Sequence, residues 1–244
     1  MKKLTYYLWA MLLVVGSLFQ SCDDGDYYSL GDIGVDWATI EAKGAHSYSL
    51  MGDQWGSLWP AATSIPWYSP VDGQRVIAIF NPLSDGFEGY DHAVKMEGIR
   101  EVLTKKIEHL TTENEADFGN DPIVIIKNNM WISGGYLNVV FEQNLPLEVK
   151  HRISLVYTDS LEPDVDGYVT LELRYNTYDD TTGCWSNGAV SFNLNEIEET
   201  SELKGIKIKI NSKTNGDVEI PFELVSTPVP TAVQNMDFSK MELH

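Results

Sequence analysis

Apolar residues recur at every second position along most of this chain, and a period of two is the period of a β-strand. Val169, Leu171, Leu173 and Tyr175 point one way from an extended backbone, and Thr170, Glu172 and Arg174 point the other. Ile206, Ile208 and Ile210 alternate with Lys207 and Lys209, and Val35, Trp37 and Thr39 alternate with Asp36, Ala38 and Ile40. Further strands are expected at 46–50, 75–80 and 93–99 in the first half. In the second half they are expected at 123–127, 136–143, 151–157, 168–176, 189–194, 206–211 and 218–224. Asp72-Gly73, Asp166-Gly167 and Asn215-Gly216 supply the positive φ that tight turns require.

Between these runs the pattern weakens. Residues 55–70 read as irregular, with Pro60, Pro66 and Pro70 among them, and 81–89 read as a loop. Ile99, Val102, Leu103, Ile107 and Leu110 fit a helical face, and Glu101 and Lys105 form a helix-favouring pair, so 99–110 is read as a short helix. The polar stretch 111–121 reads as a boundary, and the tail from Thr227, with Pro228 and Pro230, as partly disordered. The expected fold is all-β: a small barrel over 36–115, then a roughly seven-stranded antiparallel β-sandwich over 116–240.

The first 35 residues follow a different logic. Lys2 and Lys3 precede an uncharged apolar run from Leu4 to Phe19, which is shorter than the roughly 20 residues of a membrane span. It has the size of a signal-peptide core, and Ser21-Cys22 closes it. In lipoprotein processing the Cys thiol accepts diacylglycerol and cleavage falls just before it. Residues 1–21 are therefore read as a leader, Cys22 as the lipidated residue, and 22–35 as an acidic tether. The run Cys22-Asp23-Asp24-Gly25-Asp26 resembles the acidic export tag on surface lipoproteins of Bacteroides-type Gram-negative bacteria. The expected location is the cell envelope, on the outer membrane, with either face open.

The net charge of -19 opposes contact with phosphate backbones, so nucleic acid is not an expected partner. With Cys22 lipidated, Cys184 has no disulfide partner and is read as a small buried apolar residue. The histidines His46, His92, His109, His151 and His244 show no metal-ligand spacing, and no cofactor motif is found. Asp164-Val165-Asp166-Gly167 resembles the opening of a calcium loop but lacks its later ligands, and is read as a turn. No nucleophile elbow or phosphate loop is present, and no catalytic residue is expected. Trp55, Trp59, Trp67 and Tyr68 fall close together. Burial at the end of a small barrel is the favoured reading of this cluster, and a stacking platform for a ligand is the other.

Three stretches carry a family resemblance: Gly73-Gln74-Arg75-Val76-Ile77-Ala78-Ile79-Phe80, Val102-Leu103-Thr104-Lys105-Lys106-Ile107, and Tyr136-Leu137-Asn138-Val139-Val140-Phe141. Together with the leader and acidic lead, they make the chain similar to the NigD-like lipoproteins. The resemblance implies an OB-like barrel followed by a β-sandwich. It also implies a role by gene neighbourhood in bacteriocin immunity, with no catalytic residues to carry over. The expected function is a membrane-anchored, non-enzymatic interaction module with an unidentified protein partner. A surface glycan-binding lipoprotein is the alternative.

Overall fold

The computed structural model describes residues 28–29, 31–125, 129–145, 150–180 and 182–236. Cys22 and the leader lie outside the described residues. The first domain is a closed five-stranded barrel. Its strands are β1 (Gly34–Ala42), β2 (Tyr48–Gly52), β3 (Gly56–Thr63), β4 (Arg75–Phe87) and β5 (Tyr90–Glu101), in the order β1-β2-β3-β5-β4. β4 closes the ring on β1, and β3 runs parallel to β5. This order and closure are those of an OB barrel. Inward residues of alternate positions fill it: Ala38 and Ile40, Leu50, Leu58, Val76, Ala78 and Phe80, Val94 and Met96.

The second domain is a sandwich of two sheets. Its strands are β6 (Leu103–Lys106), β7 (Glu108–His109), β8 (Met130–Ser133), β9 (Tyr136–Leu145), β10 (Arg152–Tyr157), β11 (Tyr168–Asn176), β12 (Cys184–Asn193), β13 (Gly205–Ser212) and β14 (Gly216–Glu223). One sheet has the order β14-β13-β11-β10-β7, and the other β6-β12-β9-β8. Val169, Leu171, Leu173 and Tyr175 of β11 are buried, as are Ile206, Ile208 and Ile210 of β13. The all-β class, barrel then sandwich, is as expected. The sandwich is larger than the seven strands read from the sequence, and it is mixed: β11–β13, β12–β6 and β10–β7 are parallel.

Several local expectations are overturned. Residues 99–110 are extended where a helix was expected. β5 continues to Glu101, β6 joins one sandwich sheet and β7 the other, so one short segment serves three sheets. Cross-strand hydrogen bonds to β4, β12 and β10 in turn outweigh a helical pattern of a few residues. Residues 55–70 contain β3, and its pairing with β5 slips between Pro60 and Ala62 because proline cannot donate to the ladder. The expected loop 81–89 is the distal half of the β4–β5 hairpin, which carries register shifts of its own around Pro82. Cys184 is exposed, because it starts β12 at the open end of its sheet. In the tail, residues 227–236 are described and Val229 and Val233 are buried, while the rest of it lies outside the described residues.

The two domains are joined by a core of their own. Along β9, Leu137, Val139 and Phe141 face the sandwich interior while Val140 faces the barrel. In β8, Met130 and Ile132 face inward and Trp131 meets Trp37 of β1 edge-on, with ring centroids 4.9 Å apart. Ile77, Val102, Ala189, Val229 and Val233 complete this cluster. Sheet strands covered on both faces read as near-continuous apolar runs, which is why Tyr136 to Phe141 shows little alternation.

A polar lock sits within the same interface. Arg75 of β4 is fully buried and grips Asp53 with two bonds, Nη1 to Oδ1 at 2.9 Å and Nη2 to Oδ2 at 2.6 Å. Its Nη2 also donates to Asn138 Oδ1 of β9 at 3.2 Å, and Ser133 Oγ donates to Asp53. Ser191 Oγ closes on Asn138 at 2.7 Å. The Arg75 guanidinium lies 5.3 Å from the Tyr136 ring centre, and the Tyr136 hydroxyl donates to Gly73 O at 2.7 Å.

Candidate binding surface of the barrel

Leu58 of β3 faces the barrel core, so its neighbours Ser57 and Trp59 face outward. The Ser57 N–H and hydroxyl both donate to Asp91 Oδ2 at 2.7 Å, and the Asp91 N–H donates back to Ser57 Oγ at 2.9 Å. These bonds stabilise the carboxylate and hold Asp91 below the usual range. Beside them Trp59 pairs with Tyr90, centroids 5.2 Å apart and planes tilted by 34°. Met51 stands across from Ser57 on β2 and is exposed. The face formed by strands 2 and 3 is the side on which OB barrels take oligonucleotides and oligosaccharides.

The four aromatic residues singled out in the sequence do not form one platform. Trp55 packs edge-on against Phe80 and His92, each at 5.2 Å, and lies 6.3 Å from Tyr28. Tyr28 Oη donates to Asp85 Oδ1 at 2.8 Å, and His92 Nδ1 meets the same oxygen at 2.7 Å. Both contacts hold Asp85 low. Tyr68 packs edge-on against Tyr48 at 5.5 Å, and its carbonyl meets His46 Nδ1 at 2.9 Å. Burial pushes both phenols up, Tyr48 to about 12. These are opposite ends of the barrel: β1 pairs Gly34 with Phe80 at one end and Ala42 with Tyr48 at the other. Trp55 and Tyr68 therefore plug the two ends, and Trp59 lies on the wall between them.

Trp67 differs from all three, at 72% exposure. It sits in the β3–β4 connection, whose backbone is pinned by Ser64 N to Met96 O at 2.7 Å, Tyr68 N to Ile65 O at 3.1 Å and Gly73 N to Ile40 O at 2.9 Å. Val71 on the same connection is 58% exposed. Tyr90, Asp91, Met51 and Val71 were not singled out from sequence. The first two lie between the expected loop 81–89 and the expected strand 93–99, and an outward Met or Val has no local signature.

The calcium-like stretch is a turn. Asp164 Oδ1 accepts from the N–H of Asp166 at 2.9 Å and of Tyr168 at 3.0 Å, and Oδ2 accepts from Lys207 at 2.9 Å. The Tyr168 amide and then Lys207 pull this carboxyl down to about 2. Among the described residues no cluster of His, Cys, Asp and Glu is placed to hold a metal ion, and no helix is long and apolar enough to cross a membrane.

Residues 37–102 match the NigD-like N-terminal OB domain, and residues 106–224 the NigD-like C-terminal β-sandwich domain. The chain belongs to the NigD-like family. Among solved structures, this NigD-like chain is similar to a protein of unknown function from Bacteroides vulgatus, with 28% identity and a TM-score of 0.72 over 86% of this chain and 100% of that one. It is 33% identical to a protein described as toxin-related from Parabacteroides distasonis, with a TM-score of 0.69 over 84% of this chain and 100% of that one. A NigD-like immunity protein from Bacteroides caccae shares the fold at 17% identity and a TM-score of 0.57, over 80% of this chain and 94% of that one. Comparison with curated proteins finds no match.

Proposed function

We propose that this NigD-like protein is a lipid-anchored, non-enzymatic binding protein of the cell envelope, and that it engages a protein partner through its barrel. Trp67 carries the reading. A tryptophan at 72% exposure, beside an exposed Val71 on a hydrogen-bonded connection, is a ready contact group. Tryptophans dominate binding energy when a partner desolvates them, and a pre-ordered loop loses little entropy on binding. The order Ser21-Cys22 after an apolar leader supports anchorage, and the acidic tether supports reach from the membrane. The toxin-related description of the relative from P. distasonis supports a secreted toxin as partner and immunity as outcome.

The test is survival. A strain lacking the protein is challenged with secreted proteins of related strains, then complemented with wild type, Trp67→Ala or Cys22→Ala. Wild type restores survival and both variants lose protection. If deletion changes survival against none of the challenges, the immunity reading fails. A glycan-binding role is favoured by one observation, the tilted Trp59–Tyr90 pair beside Asp91. Glycan-array binding that Trp59→Ala abolishes and Trp67→Ala spares would replace the protein-partner reading.

A further inference from the structure

We propose that the open end of the sandwich is a binding pocket for a small amphipathic anion, an organic acid with a flat apolar body and one carboxylate. A cavity of about 480 Å³ opens there between the two sheets. That size falls within the range of small-ligand sites. It is separate from the barrel surface and does not depend on the reading given to Trp67.

Its floor is aromatic. Phe141 of β9 lies across Gly188 of β12, where a side chain would overlap the ring. Tyr175 of β11 meets Phe141 at 5.8 Å with planes at 63°, and Tyr178 just beyond β11 is exposed. His151 Nδ1 contacts the Tyr175 hydroxyl at 2.8 Å and holds that ring in place. The His151 ring is buried; its Nε2 makes no hydrogen bond and lies 4.0 Å from Asp180 Oδ2.

Its rim is basic, in a chain of net charge -19. Lys105 of β6, Lys150 and Arg152 of β10 all line it. Glu108 of β7 is shared by two of them, at 3.0 Å from Lys105 Nζ and 2.6 Å from Arg152 Nη2. With Asp180 beside His151, two carboxylates stand against the three cations Lys105, Lys150 and Arg152, so one positive charge is left over, and Lys150 offers it from an exposed position. A local positive site within an acidic surface attracts a small anion, while the surrounding field repels polyanions too large to enter. Apolar floor and basic rim together select a ligand with both characters.

The test uses the processed chain, residues 22–244, and isothermal calorimetry with three probes: naphthalene-2-carboxylate, its neutral carboxamide, and acetate. The carboxylate is expected to bind at least about tenfold more tightly than either of the others. Lys150→Glu, at an exposed position, removes that preference without lowering the melting temperature. Lys43→Glu, on the barrel, leaves it intact. Equal binding of carboxylate and carboxamide overturns the proposal, as does no detectable binding of the carboxylate or an equal loss in both lysine variants.

Discussion

Asp53 and Arg75 form an ion pair closed off from solvent. The side chains are 1% and 0% exposed, so removing either leaves a buried charge facing low-dielectric surroundings. Asp53→Ala is expected to cost about 3–5 kcal/mol of unfolding free energy. The double change Asp53→Leu with Arg75→Met is expected to cost less than Asp53→Ala alone, since no unpaired charge is left. Urea unfolding of the three proteins checks the order. Asp36 works the opposite way. Burial is the main cause that lifts its carboxyl from 3.8 to about 6, against the lowering pull of the Trp55 and Gln54 amides. Between those values the folded state holds a proton that the unfolded state has released. Stability from this group is therefore fully present below the unfolded value and is lost as pH rises through about 6. The full span is about 3 kcal/mol. Asp36→Asn retains an acceptor for both amides and removes the titration. Its stability relative to wild type should rise from pH 4 to pH 7, and a flat difference would contradict the assignment.

At the scale of elements, the strands with clean alternation were legible in sequence because each has one dry face and one wet face. β11 and β13 are the clearest cases. What was not legible depends on partners distant in sequence. β3 hides behind Gly56 and Pro60, and its strand character comes from β2 on one side and β5 on the other. β6 and β7 have too few residues to show a period, and each is held by one parallel neighbour. The aromatic cluster was legible as residues but not as geometry, because the barrel sends Trp55 and Tyr68 to opposite ends. The tail looked unstructured because its prolines forbid a regular ladder. Val229 and Val233 nevertheless bury against the domain interface, and Thr227 N donates to Ile132 O at 2.7 Å along the outer edge of β8. Ending the chain after Ser226 removes both valines, at about 1.5–3 kcal/mol each by burial alone. The melting temperature should drop by several degrees, whereas an unchanged melt would show that the tail does not seal the interface.

For the molecule as a whole, two domains that share a core and a buried polar lock are suited to present one rigid surface. On this account the tether sets where the protein works, and the barrel sets what it meets. The proposed anchorage rests on Cys22. The direct measurement is labelling of growing cells with an alkyne fatty acid, followed by membrane fractionation of wild type and Cys22→Ala. Wild type is predicted to carry the label and sediment with membranes, and Cys22→Ala to carry none and remain soluble. Labelled, membrane-bound Cys22→Ala protein, or unlabelled wild type, would contradict the account.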